Sequence, residues 1–503
     1  MDGPERRKKF DELLRDSLPE LPPEDVVRQV SPWRRSMYLA LAGLALENIT
    51  INASGLNYIL PAVGAFLLVL GLRPMRRENR QLAACWWTVV VRGLLVLVLI
   101  IQGATILRWP DGVDKGVTVL SYGLQMLQIF WLWRGLRAVR QRAGLEPGAR
   151  AGGALLVWNI LVILLGLVGW QGGLILGLVL VAAYGMILHS LFRLSREMEE
   201  AGYALRPAAV RLSDRALAVI TGAVVAAGLA AGWLWGGQLP MDWTPLAETA
   251  AAEAEDIRQE LAGLGFPETV LADLSEEDLE ECRGALAVVW DQDDYPVNQG
   301  REIVTQEGNT TVYSTVYDVK ELRITGVAVK LPGERERWKV FHHFRWVADP
   351  GWWGTEAIQL WPAWNLEMGW SQDKAVTGRL LCERDGRTWT APYAFLGPVT
   401  YTSSGFFSSG QDQTDIFASF SLPRDGENAR GYVTYVTAEN GAGYLLDSWM
   451  NYVHQTSWRQ YPVLTALEMH LKDGWHVDGA FRTVQFQILF SPSDGQTGFL
   501  GKE

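Results

Sequence analysis

The residues with the chemistry to act on a substrate lie in the second half of the chain, and their spacing completes no catalytic motif. Ser371 and Lys374 fit the pattern S-x-x-K, but the K-T-G and S-D-N elements that accompany it in acyl-transfer enzymes do not occur with it. The acidic run 291–294 resembles the start of a calcium loop, yet Pro296 stands at the sixth position, where such a loop needs glycine. The sequence therefore predicts no catalytic residue, no metal ligands and no cofactor.

Tryptophan is the strongest remaining signal in this half. Thirteen of the 23 Trp follow residue 240, and seven of these fall within 33 residues. Indole rings offer broad, rigid contact area with one hydrogen-bond donor, which suits recognition of sugar faces or peptides. Trp352 and Trp353 lie in the turn-like DPGWWGTE and are predicted at an exposed binding face, with Trp361 and Trp364 as neighbours. The alternative, that rings fill the core, is favoured for alternating strand positions such as Trp346.

Two ionisable residues stand inside apolar segments of the first half. Glu47 and Arg92 lie at matching depths in their predicted helices, about 15 Å from the inner end at about 1.5 Å per residue. Because a lone charge in hydrocarbon is costly, we expect the two to pair. They would then form either part of a polar pathway or a buried structural ion pair. Four further polar side chains, and one histidine, could join an inter-helix hydrogen-bond network, namely Gln102, Gln125, Gln128, Asn159 and His189.

Cysteine is sparse. Cys85 lies in an apolar segment, and Cys282 and Cys382 are the other two cysteines of the chain. At most one intrachain disulfide, between Cys282 and Cys382, can therefore form in the second half. The alternative is two isolated buried thiols.

The elements that must position these residues belong to two unlike halves, which meet near residue 236. Residues 1–236 hold 25 Lys+Arg against 17 Asp+Glu, whereas 237–503 hold 20 against 39, so the net charge of -11 divides into +8 and -19. Long apolar runs are confined to the first half, which excludes a single soluble globule. The acidic second half argues against a nucleic-acid partner, because binding to phosphates needs a basic face.

Seven apolar stretches predict a bundle of about seven transmembrane helices, since about 20 residues cross a bilayer and about 17 is a lower edge. The first, second and fifth are short. The stretches are Met37–Ile51, Leu56–Leu72, Leu82–Leu107, Val117–Trp133, Gly153–Val168, Leu174–Phe192 and Ala216–Trp235. Two contain or adjoin the small-residue motifs Gly173-x-x-x-Gly177 and Gly228-x-x-x-Gly232, which favour close helix packing.

Loop charges predict the orientation of this bundle. The N-terminal segment and alternate loops carry 22 Lys+Arg, whereas the remaining loops carry only Arg108 and Lys115. Since Lys and Arg stay on the cytoplasmic side, seven crossings place the N-terminus inside and the second half outside. Residues 5–18 have apolar side chains at helical spacing and predict a short cytoplasmic helix.

The second half predicts helices first and strands afterwards. Ser275, three residues before Asp278, resembles a helix N-cap. From about Ala287, short β-branched and aromatic runs between turns favour a mostly antiparallel, sandwich-like α+β domain, with one helical interruption around Tyr444 to Leu471. The predicted organisation is a cytoplasmic N-terminal segment (1–36), a transmembrane helical domain (37–236), a helical neck (237–286) and an extracytoplasmic β-rich domain (287–503).

Several segments together resemble an uncharacterised family of polytopic membrane proteins from Gram-positive anaerobic bacteria. They are LPELPPEDVV, PWRR, LNYILPAVG, GLRPMRREN, GERERWKVFHHF and IQLWPA. The resemblance implies a bacterial plasma-membrane location. It implies no activity and carries over no functional residue.

These patterns favour an integral membrane protein whose outer domain binds or senses a ligand, such as a glycan or peptide of the cell envelope. The bilayer is its predicted partner, and nucleic acid is not. Two alternatives remain open on sequence: a membrane-anchored enzyme acting on envelope polymers, and a transport or channel component that uses Glu47 and Arg92.

Overall fold

A computed structural model of the chain divides into two compact units. The first comprises Met1–Gly103 and Leu107–Ala230, and the second comprises Ala104–Ile106 and Ala231–Glu503. The structure describes residues 31–48, 56–168, 173–201, 203–205, 212–246, 252–298, 300–307, 310–316, 319–362, 364, 369–403, 411–441, 445–473 and 479–492. The predicted helix at 5–18, the turn NASG and most of the turn GWQGG lie outside these residues.

The first half of the chain is helical, as its apolar runs predict. Its long helices are α1 (Trp33–Asn48), α2 (Leu56–Met75), α3 (Arg80–Gln102), α4 (Asp111–Arg142), α5 (Arg150–Leu167), α6 (Gly173–Glu200) and α7 (Asp214–Trp235), and β1 (Ser31–Pro32) pairs with β2 (Ala204–Leu205). Five of them, α2, α3, α5, α6 and α7, are long and apolar enough to cross a membrane. These five apolar helices indicate membrane insertion.

The other two predicted spans, α1 and α4, fall outside that group for different reasons. Helix α1 has 16 residues, which is short for a span. Helix α4 has 32 residues but is diluted by polar side chains, including Gln125 and Gln128. Helix α4 nevertheless covers the whole predicted stretch 117–133, and α1 covers the described part of 37–51.

Glycine residues allow α1 and α2 to pack closely against each other. A Cβ added to Gly64 would lie 2.8 Å from the backbone nitrogen of Glu47, and one added to Gly71 would lie 2.6 Å from that of Ala40. Only residues without a side chain permit this approach. Of the two small-residue motifs, Gly228 and Gly232 contact Ile101 and Ala104, so this motif packs within the chain. A Cβ on Gly173 or Gly177 would meet none of the described atoms within 4 Å.

The second half of the chain begins with short helices and continues as an antiparallel β-sheet domain. Its helices are α8 (Ala252–Gly263), α9 (Glu268–Leu271), α10 (Glu276–Glu280) and, near the end, α11 (Ala466–Asp473). Its strands are β3 (Thr244–Pro245), β4 (Ala287–Tyr295), β5 (Arg301–Glu307), β6 (Thr310–Val316), β7 (Leu322–Leu331), β8 (Arg337–Trp346), β9 (Glu356–Trp361), β10 (Trp370–Gln372), β11 (Thr377–Arg384), β12 (Arg387–Ala391), β13 (Phe395–Ser403), β14 (Gln411–Phe420), β15 (Glu427–Glu439), β16 (Leu446–Gln455) and β17 (Phe481–Phe490).

The strands form two large sheets. One has eight strands in the order β3-β12-β11-β15-β8-β7-β4, with β10 also paired to β15, and the other has the order β13-β14-β9-β16-β17. Strands β5 and β6 pair as a separate hairpin. One core of buried side chains draws members from both large sheets, for example Phe344 and Val433 from the first and Ile358, Met450 and Phe486 from the second.

The side chains of β8 point alternately to the two faces of the eight-stranded sheet. Trp338, Val340, Phe344 and Trp346 face the shared core, whereas Phe341 belongs to a second cluster formed with α8, α9 and α10. The short helices therefore cover the other face of the eight-stranded sheet and belong to the same compact unit. Ser275 caps α10 as predicted, since its Oγ accepts a hydrogen bond from the Asp278 amide at 3.1 Å.

The helical interruption predicted around Tyr444 to Leu471 is wrong in its first part. Residues Leu446–Gln455 form β16, the partner of both β9 and β17, and the helix α11 begins only at Ala466. The side chains from Met450 to Gln455 are all buried, because β16 is paired on both sides, so this part of the strand lacks the alternation that marks a strand in a sequence.

Cys282 and Cys382 do not form the disulfide that the sequence allows. Both are free and fully buried, Cys282 among the side chains of the short helices and Cys382 in β11 beside Gly426. Burial raises the pKa of Cys282 to about 12 and that of Cys382 to about 11. The alternative of two isolated, unreactive thiols is therefore the one that the structure has.

Candidate functional site

The segment DPGWWGTE is held rigidly by its own turn chemistry. Asp349 Oδ1 accepts a hydrogen bond from the Gly351 amide at 2.8 Å, and Gly351 has a φ of 77°, which favours glycine. Gly354 permits a close approach to Gln455, because an added Cβ would lie 2.2 Å from the Gln455 Oε1 atom. That same oxygen accepts from the Thr355 amide at 3.0 Å. The turn therefore presents its two tryptophans in a fixed arrangement.

A buried histidine on β16 forms a hydrogen bond with the backbone of the turn. His454 Nε2 donates to the Pro350 carbonyl at 3.0 Å, and His454 Nδ1 lies 2.8 Å from Glu356 Oε1, with neither side chain exposed. Because a carbonyl only accepts, Nε2 carries a proton. Burial raises the pKa of Glu356, and His454 opposes that rise. His454 therefore links the turn to β16, and its contact with Glu356 links it to β9.

Beside this turn lies an open cleft of about 560 Å³. Trp353 and the buried Trp346 form its aromatic part, and Arg323 and Arg345 form its basic part. The two arginines are direct cross-strand partners on β7 and β8, so their side chains lie on one face. Further polar groups come from the loop around Asp349 and from the start of β15, namely Asp349, Glu427 and Asn428.

The two arginines of the cleft differ in how they are paired. Arg323 forms a bidentate ion pair with Asp294, at 2.8 and 3.0 Å. Arg345 Nε donates to Asn428 Oδ1 at 2.8 Å, and among the described residues it has no carboxylate partner. The Arg345 guanidinium therefore lines the same cleft as Trp353 and, among the described residues, forms no ion pair. This juxtaposition suits a ligand with a ring face and oxygen acceptors.

The four predicted tryptophans do not form one face. Trp353 lines the large cleft, and both Trp352 and Trp353 line a second cavity of about 20 Å³, which has room for about one water molecule. Trp361 on β9 lies opposite Trp449, with ring centroids 6.3 Å apart. Trp364 packs edge-on against Tyr435 in the core, at 4.8 Å. Trp346, at an alternating position, is buried with 3% exposed, as expected.

Sequence reasoning missed the polar half of the cleft. Arg323 and Arg345 meet only because β7 and β8 pair in this register, and Asn428 joins them because β15 pairs on the other side of β8. The one local signal was Arg345 itself, which precedes Trp346 at the end of an aromatic strand.

The motifs that fit a catalytic or metal site only in part are separated by the fold. Ser371 Oγ donates to the Ala438 carbonyl at 3.2 Å, and Lys374 Nζ lies 2.8 Å from Glu281, so the serine and the lysine do not act on each other. In the acidic run 291–294, Asp294 forms an ion pair with Arg323. Among the described residues, no group of three or more His, Cys, Asp or Glu is arranged to hold a metal ion.

Glu47 and Arg92 form the expected ion pair in the helical unit. Arg92 Nη1 lies 2.6 Å from Glu47 Oε2, and both side chains are at least 90% buried. Gln128 on α4 bridges them, because its Nε2 donates to the same carboxylate oxygen at 3.1 Å and its Oε1 accepts from Arg92 at 3.4 Å. The pair therefore links α1, α3 and α4.

A second polar group adjoins this pair. Gln125 Nε2 donates to Asn48 Oδ1 at 2.7 Å and to Asn159 Oδ1 at 2.8 Å, and Asn48 donates to the Tyr184 hydroxyl at 3.0 Å. These contacts join α1, α4, α5 and α6. Two of the predicted network members, Gln125 and Asn159, thus meet, whereas His189 stacks on Phe192.

Comparison with known proteins finds no family model and no curated protein that matches the chain. Among solved structures, one described as a pore forming protein is 7% identical, with 39% of this chain and 97% of that chain covered and a TM-score of 0.18. Another, described as "pH-induced modulation of Streptococcus parasanguinis adhesion by Fap1 fimbriae", is 14% identical, with 34% and 76% covered and a TM-score of 0.18. Likenesses at this level carry no argument about fold or function.

Proposed function

We propose that the chain is a membrane-anchored receptor whose β-rich unit binds a glycan of the cell envelope in the cleft beside Trp353. The observation that carries this proposal is the juxtaposition of the Trp353 indole and the Arg345 guanidinium in one cleft of about 560 Å³. Ligand sites of 300 to 1,000 Å³ that combine an aromatic wall with a few polar groups are the usual size and composition for small ligands.

The mixture of donors and acceptors favours a sugar over an apolar ligand. Arg345 and Asn428 supply N–H donors, and Asp349 and Glu427 supply acceptors, in the cleft that Trp353 lines. Sugar hydroxyls need both kinds of partner, while the C–H face of the sugar ring packs on an indole. The rigid turn also reduces the conformational entropy that a ligand would have to remove on binding.

The same cleft supports binding better than hydrolysis. A glycosidase uses two carboxyl groups, one of which is kept protonated by an apolar environment. Asp349 and Glu427 both line the cleft, but both side chains are exposed to solvent. Exposure does not provide the burial that keeps such an acid protonated, so we propose recognition and not catalysis.

The test is a binding titration of the purified full chain with soluble envelope glycan fragments, and separately with envelope stem peptides. We expect Trp353→Ala to weaken glycan binding at least about tenfold, equivalent to about 1.4 kcal/mol. Arg345→Gln should have a similar effect, because it removes the charge that has no carboxylate partner.

The matched control is Trp290→Ala, which removes an exposed ring of β4 outside the cleft and should leave the affinity unchanged. Preference for the peptides, or equal affinity of the Trp353→Ala and wild-type chains, would rule out the proposed glycan site. Circular dichroism of each variant establishes that the fold is retained.

We also propose that all seven long helices cross the bilayer, with the N-terminus in the cytoplasm and the β-rich unit outside. Loop charge supports this, because omitting α1 and α4 would place the loop around Arg76, Arg77 and Arg80 on the outer side, against the positive-inside rule. The central part of α4, 117–133, contains no charged residue. In the β-rich unit, the shared core supports a sandwich of the two large sheets.

Reporter fusions after Asn79, between α2 and α3, and after Glu503 test this topology. We expect the first to report the cytoplasm and the second the outer side. The same compartment for both fusions would contradict the proposed crossing number, whatever the cleft binds.

A further inference from the structure

We propose that an elongated groove between α2, α3 and α7 is a binding site for an anionic phospholipid. The groove has a volume of about 320 Å³ and is lined mainly by apolar side chains, including Phe66, Val69, Val90, Leu94, Leu97 and Leu217. Two arginines, Arg73 and Arg76, lie at one end. The inference rests on the proposed membrane insertion but not on the proposed glycan recognition.

The length of the groove matches one leaflet of a bilayer. Along α2 it extends from Ala62 to Arg73, which is about 17 Å at about 1.5 Å per residue. Half of the hydrocarbon core of a bilayer is about 15 Å thick. An acyl chain in the groove would therefore have its headgroup at the level of the arginines.

The charge at the arginine end of the groove favours a lipid with an anionic headgroup. Arg73 Nη1 lies 3.3 Å from Asp214 Oδ1, its Nη2 donates to the Leu212 carbonyl at 2.7 Å, and its side chain is only 10% exposed. The Arg76 guanidinium lies over the Trp86 ring, 4.8 Å from its centroid. Arg35 Nη2 also lies 3.9 Å from Asp214 Oδ2, so Arg35 and Arg73 share one aspartate and together give this end a net positive charge. Basic pockets between transmembrane helices on the cytoplasmic side bind anionic headgroups.

The neighbouring surface shows that the groove opens toward lipid. Exposed apolar side chains flank it on α2 and α3, for example Val63, Val91 and Val98. A soluble anion would gain nothing from this apolar stretch, whereas an acyl chain would bury both its own surface and that of the groove. The occupant that satisfies both the arginines and the apolar wall is thus a phospholipid with a net negative headgroup.

The groove contains a position at which it can be filled without disturbing the helices. Gly93 lines it, and a Cβ added there would meet no described atom within 4 Å. Gly93→Phe should therefore occupy the space of the acyl chain and leave both arginines in place. Gly166→Phe is the matched control, because Gly166 also has open space around it but lies on α5, outside the groove.

The experiment is native mass spectrometry of the full chain in neutral detergent, titrated with phosphatidylglycerol or phosphatidylcholine. We expect preferential binding of phosphatidylglycerol, reduced about fivefold by Arg76→Gln and further by Arg73→Gln/Arg76→Gln, the factor that about 1 kcal/mol per basic side chain gives. Gly93→Phe should remove the preference. Gly166→Phe and Arg137→Gln, at an exposed arginine of α4, should keep it.

Equal binding of the two lipids to the wild-type chain would overturn the proposal. So would a Gly93→Phe chain that keeps its preference for phosphatidylglycerol, because the headgroup contact would then not involve the groove. Extraction of cell membranes with alkaline carbonate tests insertion separately. A chain that stays in the membrane but shows no lipid preference would refute the lipid site alone.

Discussion

Two buried ion pairs, one in each unit, differ in how fully their surroundings satisfy them. In the helical unit, Arg92 and Glu47 share Gln128 as a third partner, and Arg92 Nε has no hydrogen-bond partner among the described residues. In the β-rich unit, Lys339 Nζ lies 2.7 Å from Asp278 and 2.6 Å from Glu281. Asp278 also accepts hydrogen bonds from three hydroxyl groups, those of Ser275, Thr377 and Tyr432.

The difference follows from the neighbours that each fold supplies. An apolar helix offers few polar side chains, so a charge inside it obtains one opposite charge and an amide. The eight-stranded sheet and its helical layer instead surround Asp278 with donors from three elements. Burial would raise the pKa of Asp278, but Lys339 and the hydroxyl donors hold it below its ordinary value. The network joins α10 to β8, β11 and β15 and so holds the short helices on the sheet.

The largest effect is expected from Lys339→Met. It leaves Asp278 and Glu281 without their buried cation, and breaking one side of a buried pair costs about 3 to 5 kcal/mol. We expect that loss in the free energy of unfolding of the β-rich unit, measured by denaturant titration, and faster hydrogen exchange in α8 to α10.

Lys374→Met is the control for this prediction. Lys374 binds the same Glu281 at 2.8 Å, but its side chain is 44% exposed. Its loss should therefore cost less than about 1 kcal/mol. Equal losses for the two lysines would show that burial does not set the strength of this network.

A somewhat smaller effect is expected in the helical unit. Arg92→Leu leaves Glu47 alone at a depth where a charge costs about 2.5 to 3.5 kcal/mol by insertion scales. The double variant Glu47→Leu/Arg92→Leu removes both charges and should recover most of that loss. Thermal unfolding of the wild-type chain, Arg92→Leu and the double variant in the same detergent compares their stabilities. A double variant less stable than Arg92→Leu would mean that the pair has a role beyond mutual neutralisation.

The two pairs also differ in how well they can be predicted. Glu47 and Arg92 are conspicuous because charges are rare in apolar segments, and helical rise places them at one depth. Lys339 and Asp278 are 61 residues apart in a region rich in charge, and only the packing of α10 on β8 brings them together. A buried charge can therefore be predicted from sequence when the residues around it are apolar, but not when many of them are also charged.

The same reasoning applies to the strands and the cleft. Alternation and turn residues predict the β-strands, including β7 and β8, because these are local signals. The cleft needs the register between β7, β8 and β15, which aligns Arg323 with Arg345 and is not a local property. The turn that carries Trp352 and Trp353 is a local signal, but the packing of Trp364 against Tyr435 is not, since it depends on tertiary contacts.

Two buried histidines, unlike the residues of the ion pairs, have no charged partner among the described residues. His342 lies 2.8 Å from the Ser448 hydroxyl and His470 lies 2.5 Å from Gln359 Oε1, so neither ring contacts a carboxylate. Burial lowers the pKa of His342 to about 3 and that of His470 to about 4. Both rings therefore stay neutral in the folded chain at pH values where they are protonated in the unfolded chain.

The last prediction is that acid destabilises the β-rich unit well above the pH at which its paired carboxylates titrate. With an unfolded pKa of about 6.5, each neutral histidine should cost about 2 kcal/mol of stability when the pH falls from 7 to 5, because the unfolded chain then binds more protons. Asp278, whose pKa is lowered, would contribute only below about pH 4. Denaturant titrations at pH 7 and pH 5 should show the loss, and His342→Gln should reduce the difference by about 2 kcal/mol. A pH dependence unchanged in His342→Gln would show that this ring does not stay neutral when buried, and the distinction between paired and unpaired buried groups would then fail.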